Sequence, residues 1–249
     1  MNIHRLPPPF ACVLYLLVWV LLLPFTTPVA AAEFAARRIL GFSPDGLYFA
    51  FEQYGVQDGS GFPYAAIFVI RTTHDEWVKG SPFRVLLRDE RARLRQARKD
   101  AMSKAAPLLK KLAIVKPGRL LASNPPGELS ADPHHVEVNT SRFVNAPPER
   151  WTFRLEEIPL ASARCSKYLN NPATGFRLTT QSQGGAPQPL HEDSTIPDSR
   201  GCPLRYAISD IVIYQPGSGG RSFAILISVY AFGFEGPNRR FLAVTKRLP

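Results

Sequence analysis

Glycine and proline punctuate this chain too often for long helices. Together they supply 41 of its 249 residues, and they cluster between short runs of β-branched and aromatic residues, the pattern of strands joined by turns. Eight such runs read as strands: residues 47–54, 65–71, 136–139, 151–157, 175–180, 206–214, 222–230 and 240–245. The first follows Ser43-Pro44-Asp45-Gly46, where proline suits the first central turn position and glycine the left-handed one. The expected fold is mainly β, a single domain built as a sandwich or open barrel of antiparallel sheets.

One segment departs from that rhythm. Between about residues 88 and 112, Leu94, Ala97, Ala101, Ala105, Leu108 and Leu112 recur at spacings of three and four, which predicts an inserted amphipathic helix. Pro107 lacks a backbone donor, so a kink or a break into two helices is expected there. Residues 84–116 carry eleven Lys and Arg against three acids, whereas the whole chain is only +10. The basicity is therefore concentrated in this element, which makes an anionic envelope component a possible partner for it. No aromatic residues interleave with the charges, so nucleic acid is not expected.

The first 32 residues read as an export signal. His4 and Arg5 precede an apolar run of fourteen residues, Phe10 to Leu23, and a small-residue stretch ends at Ala32. Fourteen is short of the roughly twenty residues that a membrane span needs. Residues 1–32 are thus expected to be a cleaved signal peptide and residues 33–249 a single periplasmic or secreted domain, with no membrane span after cleavage. Cleavage removes Cys12 and leaves Cys165 and Cys202, 37 residues apart. In an oxidising compartment these are expected to form a disulfide. The alternatives are two free thiols or half of a zinc site, although neither cysteine has a C-x-x-C neighbour.

Two segments resemble known families. Phe42-Ser43-Pro44-Asp45-Gly46 and the strand after it, out to Arg71, resemble one blade of a WD-like propeller. No second copy follows, so a closed propeller is not expected. More widely, GFSPDGLYFAFEQYGVQDGSGFPYAAIFVI, TFRLEEIPL, IPDSRGCPLRYAISDIVIY and SVYAFGFEGPNRRFLAV resemble a family of bacterial predicted secreted proteins that carry a domain of unknown function. That resemblance implies export and a shared fold; it supplies no catalytic residues.

The candidate site lies on two hairpins with similar loops. Each leaves its strand at a tyrosine, passes an acidic residue followed by glycine, and holds several aromatics. Were they adjacent, Tyr54, Phe62, Tyr64, Tyr230 and Phe234 would wall a shallow site, with Asp58, Glu235 and Arg239 as polar contacts. Aromatic faces beside carboxylates suit a glycan or a peptide. The alternative reading keeps these aromatics as staples that hold the hairpin tips to the sheet. Asp58 and Glu235 also form the acid–base pair of a second alternative, a hydrolase of cell-envelope carbohydrate.

His74-Asp75-Glu76 and His191-Glu192-Asp193 read as solvated turns, and no metal, cofactor or nucleophile motif is present. The preferred reading is a non-catalytic module that recognises a protein, glycan or peptide partner. Third comes an envelope-surface protein docked by its basic helix.

Overall fold

A computed structural model describes residues 32–248 apart from 129, 144, 218 and 234. Residues 1–31 of the expected signal segment, and the candidate contact Phe234, lie outside the described residues.

The chain forms thirteen strands in three antiparallel sheets, and no sheet closes on itself among the described residues. The front sheet holds β1 (Ala36–Phe42), β2 (Tyr48–Val56) and β3 (Pro63–Arg71), with β4 (Glu76–Trp77) and β5 (Phe83–Leu86) both pairing with β3. The middle sheet runs β13 (Asn238–Leu248), β12 (Arg221–Ala231), β11 (Pro203–Tyr214), β6 (Arg119–Ser123). The rear sheet runs β10 (Gln188–Glu192), β9 (Ala173–Ser182), β8 (Arg150–Leu160), β7 (His135–Asn139). One α-helix among the described residues, α1 (Leu94–Lys111), follows β5. The mainly β, open-sheet architecture agrees with the sequence, and the blade-like motif opens a stacked sheet, not a ring.

Side-chain alternation sets the layer order. On β12, Phe223, Ile225, Ile227 and Val229 join the core shared with Phe153, Leu155, Phe176 and Leu178 of the rear sheet. The intervening Ala224 and Leu226 join Phe49, Phe51, Phe68 and Ile70 of the front sheet. On β3, Ala65, Ile67 and Val69 face away from that core and pack beneath Ala97, Ala101 and Ala105 of α1. The layers are therefore helix, front sheet, middle sheet and rear sheet. A strand covered on both faces must be apolar at every position, which is why β3 and β12 are continuous hydrophobic runs.

A bulge in β11 re-phases that alternation. Ile208 pairs with Ile227 and Asp210 with Leu226, so β11 advances two residues against one. Ile208 and Ile211 thereby share the rear core. Asp210 emerges on the front side, where Arg37 of β1 pairs with it and Ser123 Oγ donates to it at 2.8 Å.

The helix is shorter than the sequence suggested and does not break at Pro107. Proline removes only the N–H that would reach the Ser103 carbonyl, and both residues are exposed, so water can satisfy that oxygen. Glycine is required at Gly46, which turns with φ +73° and where a Cβ would lie 2.9 Å from Ser222 Oγ. The Gly46 carbonyl accepts from Ser222 Oγ at 2.7 Å and from Thr72 Oγ1 at 2.8 Å, tying the front turn to the middle sheet.

Cys165 and Cys202 form the expected disulfide, with Cα atoms 5.3 Å apart and a separation of 37 residues. It joins the end of β8 to the start of β11 and draws in the irregular loop after β10. No helix among the described residues is long and apolar enough to cross a membrane.

Candidate ligand cleft

The functional candidate begins at the edge of the middle sheet. Among the described residues β12 is the one strand that β13 pairs with, its other side making an isolated parallel bridge from Arg239 to Phe34, and an edge strand must satisfy its outward N–H groups or leave them open to another chain. Three are capped from other elements. The Arg239 N–H donates to the Glu33 carbonyl at 2.8 Å, the Phe241 N–H to Gln53 Oε1 at 2.9 Å, and the Thr245 N–H to Asp75 Oδ1 at 2.7 Å. Ala243, midway along the same edge, has no such cap among the described residues, and it lines a cleft.

That cleft has a volume of about 970 Å³ and lies where β13, the β3–β5 edge of the front sheet and the loop after β10 converge. Phe68, Trp77 and Arg84 form one wall. The Phe68 and Trp77 rings are 5.7 Å apart, and the Arg84 guanidinium lies 5.6 Å from the Trp77 ring. Trp77 is 49% exposed, and Arg84 has no carboxylate partner among the described residues, so this wall presents an open indole face beside a free cation.

At one end the two hairpins meet. Gln57 and Tyr64 come from the first, and Ala231, Phe232, Asn238 and Arg240 from the second. The Arg240 guanidinium sits 4.3 Å over the Tyr64 ring and pairs with Glu33. Burial pushes the Tyr64 hydroxyl above its ordinary range, so it stays a neutral donor at physiological pH.

Toward the other end lies a charged cluster. Asp193 is 7% exposed and receives Arg200 Nη1 at 2.6 Å, the Phe176 N–H at 3.0 Å and the His191 ring nitrogen Nε2 at 2.8 Å. Burial opposes the charge on Asp193, but His191, Arg200 and the backbone donor outweigh it and hold the carboxyl below its usual range. The His191 ring stacks on Phe176 at 4.7 Å. Tyr206 is pushed up to about 12, chiefly by burial. Asp75, in the left-handed region at φ +55°, accepts from Thr245 N and Oγ1, yet burial prevails and raises its carboxyl above the usual range.

These contacts correct the reading of His191-Glu192-Asp193 as a solvated turn, since it ends a strand and buries Asp193; His74 and Glu76 are exposed at a turn as expected, and only Asp75 between them points inward. The disulfide holds the loop of Asp193 and Arg200 against the rear sheet, and Thr245 gives Asp75 two donors. No sequence spacing reveals either arrangement. Trp77 did carry a signal, being a large aromatic set in the polar stretch Thr72-Thr73-His74-Asp75-Glu76. Arg84, Arg200 and Arg240 look like any other surface arginine.

Of the described residues singled out by sequence, the structure brings Tyr64 into the cleft and disperses the others. Tyr54 pairs with Ala65 on the helix side of the front sheet, where Arg98 stacks on it at 3.7 Å and forks onto Glu52 with two contacts of 2.8 Å. Tyr230 lies under Arg205 at 3.8 Å and edge-on to Phe34. Arg239 is buried, donates to the Ala35 carbonyl at 2.9 Å, and has its pKa lowered by burial. Asp58 is exposed and accepts the Gly59 N–H at 2.9 Å, Phe62 is half-buried in its loop, and Glu235 is exposed. None of these lines the cleft. No group of three metal-ligating side chains converges among the described residues.

Residues 50–247 match the family described as predicted secreted protein (DUF2259). The chain belongs to this family. The matched span contains every residue that lines the cleft, and a disulfide suits the oxidising compartments that exported proteins reach. The family description assigns no activity. No curated protein and no solved structure matches the chain.

Proposed function

We propose that this exported protein is a non-catalytic binding module whose ligand is an acidic glycan fragment held in the cleft between its hairpins. The observation that carries this reading is the wall of Trp77 and Arg84, a half-exposed indole with a guanidinium over its ring that has no carboxylate partner among the described residues. Sugar C–H faces stack on such a ring, and a carboxylate takes the guanidinium by paired hydrogen bonds. Arg200 and Arg240 line the same cleft but are paired with Asp193 and Glu33, so Arg84 is the guanidinium available to an anion.

A peptide ligand is second. Peptides commonly add a strand to a sheet edge, but on β13 the caps from Glu33, Gln53 and Asp75 leave no two successive outward N–H groups open among the described residues. The hydrolase alternative finds no support in the placement of Asp58 and Glu235, both exposed and outside the cleft lining. Within residues 84–116 Arg84 belongs to the cleft wall; the cations from Arg88 onward form a further surface, and an anionic envelope component is the partner its charge suits.

The test is calorimetric titration with uronic-acid oligosaccharides, neutral oligosaccharides and acidic peptides. The expected result is binding of the uronic-acid series that Trp77→Ala or Arg84→Ala weakens at least about tenfold, one stacked ring or charged hydrogen bond being worth about 1.5–3 kcal/mol. Selective binding of the peptides would replace the glycan, and equal binding by both variants would overturn the site.

A further inference from the structure

The positive charge of this molecule sits on one outer layer. Of the eleven Lys and Arg between residues 84 and 116, ten are exposed and none of those ten is paired with a carboxylate among the described residues. The eleventh, Arg98, is drawn inward by Glu52. Because α1 lies on the front sheet through Ala97, Ala101 and Ala105, its opposite face is directed away from the three sheets. At 100° per residue the crest of that face carries Arg95, Lys99 and Lys110, with Lys104 and Lys111 down one flank.

The helix accepts a local cost for this arrangement. Its N-cap position is Arg93, which makes no capping hydrogen bond, and no acid occupies its first turn. Helix N-termini favour Ser, Thr, Asp or Asn as caps and negative charge nearby. Here Arg93 and Arg95 face the positive end of the helix dipole instead. Departures from a local rule that bring no structural gain concentrate at functional surfaces.

The partner must itself be extended. An 18-residue helix is about 27 Å long, several times the screening length of about 8 Å at physiological ionic strength. One small anion therefore cannot neutralise the whole row. The crest is convex, and its remaining members, Gln96, Ser103, Ala106 and Pro107, offer no bulky apolar anchor, so contact is by charge and not by insertion. In the compartments open to an exported protein, a plane of phosphate headgroups meets these requirements. We propose that α1 docks the protein on anionic phospholipid, with its alanine face on the front sheet and its cationic crest on the headgroups, leaving the cleft on a different face of the molecule.

The experiment is co-sedimentation with vesicles of phosphatidylcholine, with or without about one-third phosphatidylglycerol, with soluble polyphosphate as a competing polyanion. The expected result is binding only to the anionic vesicles, with release at about 1 M salt, where charges are screened beyond about 3 Å. The triple variant Arg95→Gln, Lys99→Gln, Lys110→Gln should lower the partition coefficient about a hundredfold, since each cation near an anionic surface contributes roughly a fivefold factor. Charge reversal at the same positions should lower it further, while Trp77→Ala leaves it unchanged. Any of three outcomes would overturn the proposal: no binding to anionic vesicles, undiminished binding by both triple variants, or capture by polyphosphate with none by vesicles.

Discussion

Gln53 of β2 accepts the backbone N–H of Phe241 in β13 at 2.9 Å, so a side chain of the front sheet completes the edge of the middle sheet. Both residues line the cleft, and with the caps from Glu33 and Asp75 this bond fixes the spacing between two of its walls. Binding geometry and sheet stacking therefore depend on the same few polar contacts.

Gln53→Leu is expected to leave the Phe241 N–H buried without a partner. That costs about 1–3 kcal/mol, measurable as a lower denaturant midpoint with an unchanged slope. Full stability in the variant would show that water or a neighbour replaces the amide.

Trp77→Ala and Arg84→Ala should behave oppositely. Both side chains are exposed, so stability should stay within about 0.5 kcal/mol of wild type while affinity for acidic oligosaccharide falls. A loss of stability matching the loss of affinity would assign this wall to the fold.

Removing the disulfide should cost about 2–5 kcal/mol, the range for a native bridge in an exported domain. Cys165→Ala with Cys202→Ala should also release the loop that carries Arg200, seen as faster hydrogen exchange across residues 193–201. Unchanged exchange there would mean that the Asp193 ion pairs hold the loop unaided.

Much of the fold was legible, and the physical reason differs between elements. β3 and β12 declared themselves because strands covered on both faces need mostly apolar side chains, and β2 did so through its aromatic YFAF start after the Ser43–Gly46 turn. β8 and β9 showed the alternation of a strand with one wet face. β1, β4, β5, β6 and β10 escaped notice: ARRILGF and RLLAS carry exposed arginines, QPLHE contains a proline, FRVL is only four residues long, and β4 is only two. The paired hairpins were legible as a motif, but which tyrosine entered the cleft was not. Tyr54 and Tyr64 are diagonal neighbours across the β2–β3 hairpin on opposite faces of one sheet. Only the stacking of the middle sheet on one of those faces decides which is used. The cleft joins residues from 51–57, 64–86, 191–201 and 229–244, and no local pattern records that convergence.

Asp193→Asn tests the charged cluster through pH. The folded carboxyl lies below its unfolded value, so its stabilisation is full above the unfolded pKa of about 3.9 and is lost as pH falls through the folded one. The variant, which leaves Arg200 without its anion, should be about 3–5 kcal/mol less stable at pH 7. That difference should shrink below about pH 4. A difference that does not depend on pH would show that packing, not charge, is what Asp193 provides. Asp75 has the opposite sign: its folded value is raised, so ionisation costs stability as pH rises through the acid range, and Asp75→Asn should be neutral or stabilising at pH 7.

The most direct test of the central claim is chemical-shift mapping of the folded protein with a uronic-acid oligosaccharide. The account predicts saturable shifts at the Trp77 indole N–H, the Arg84 side chain and the Ala243 amide, absent with the neutral sugar. Shifts confined to the hairpin tips around Asp58 and Glu235, or none at saturating ligand, would contradict it.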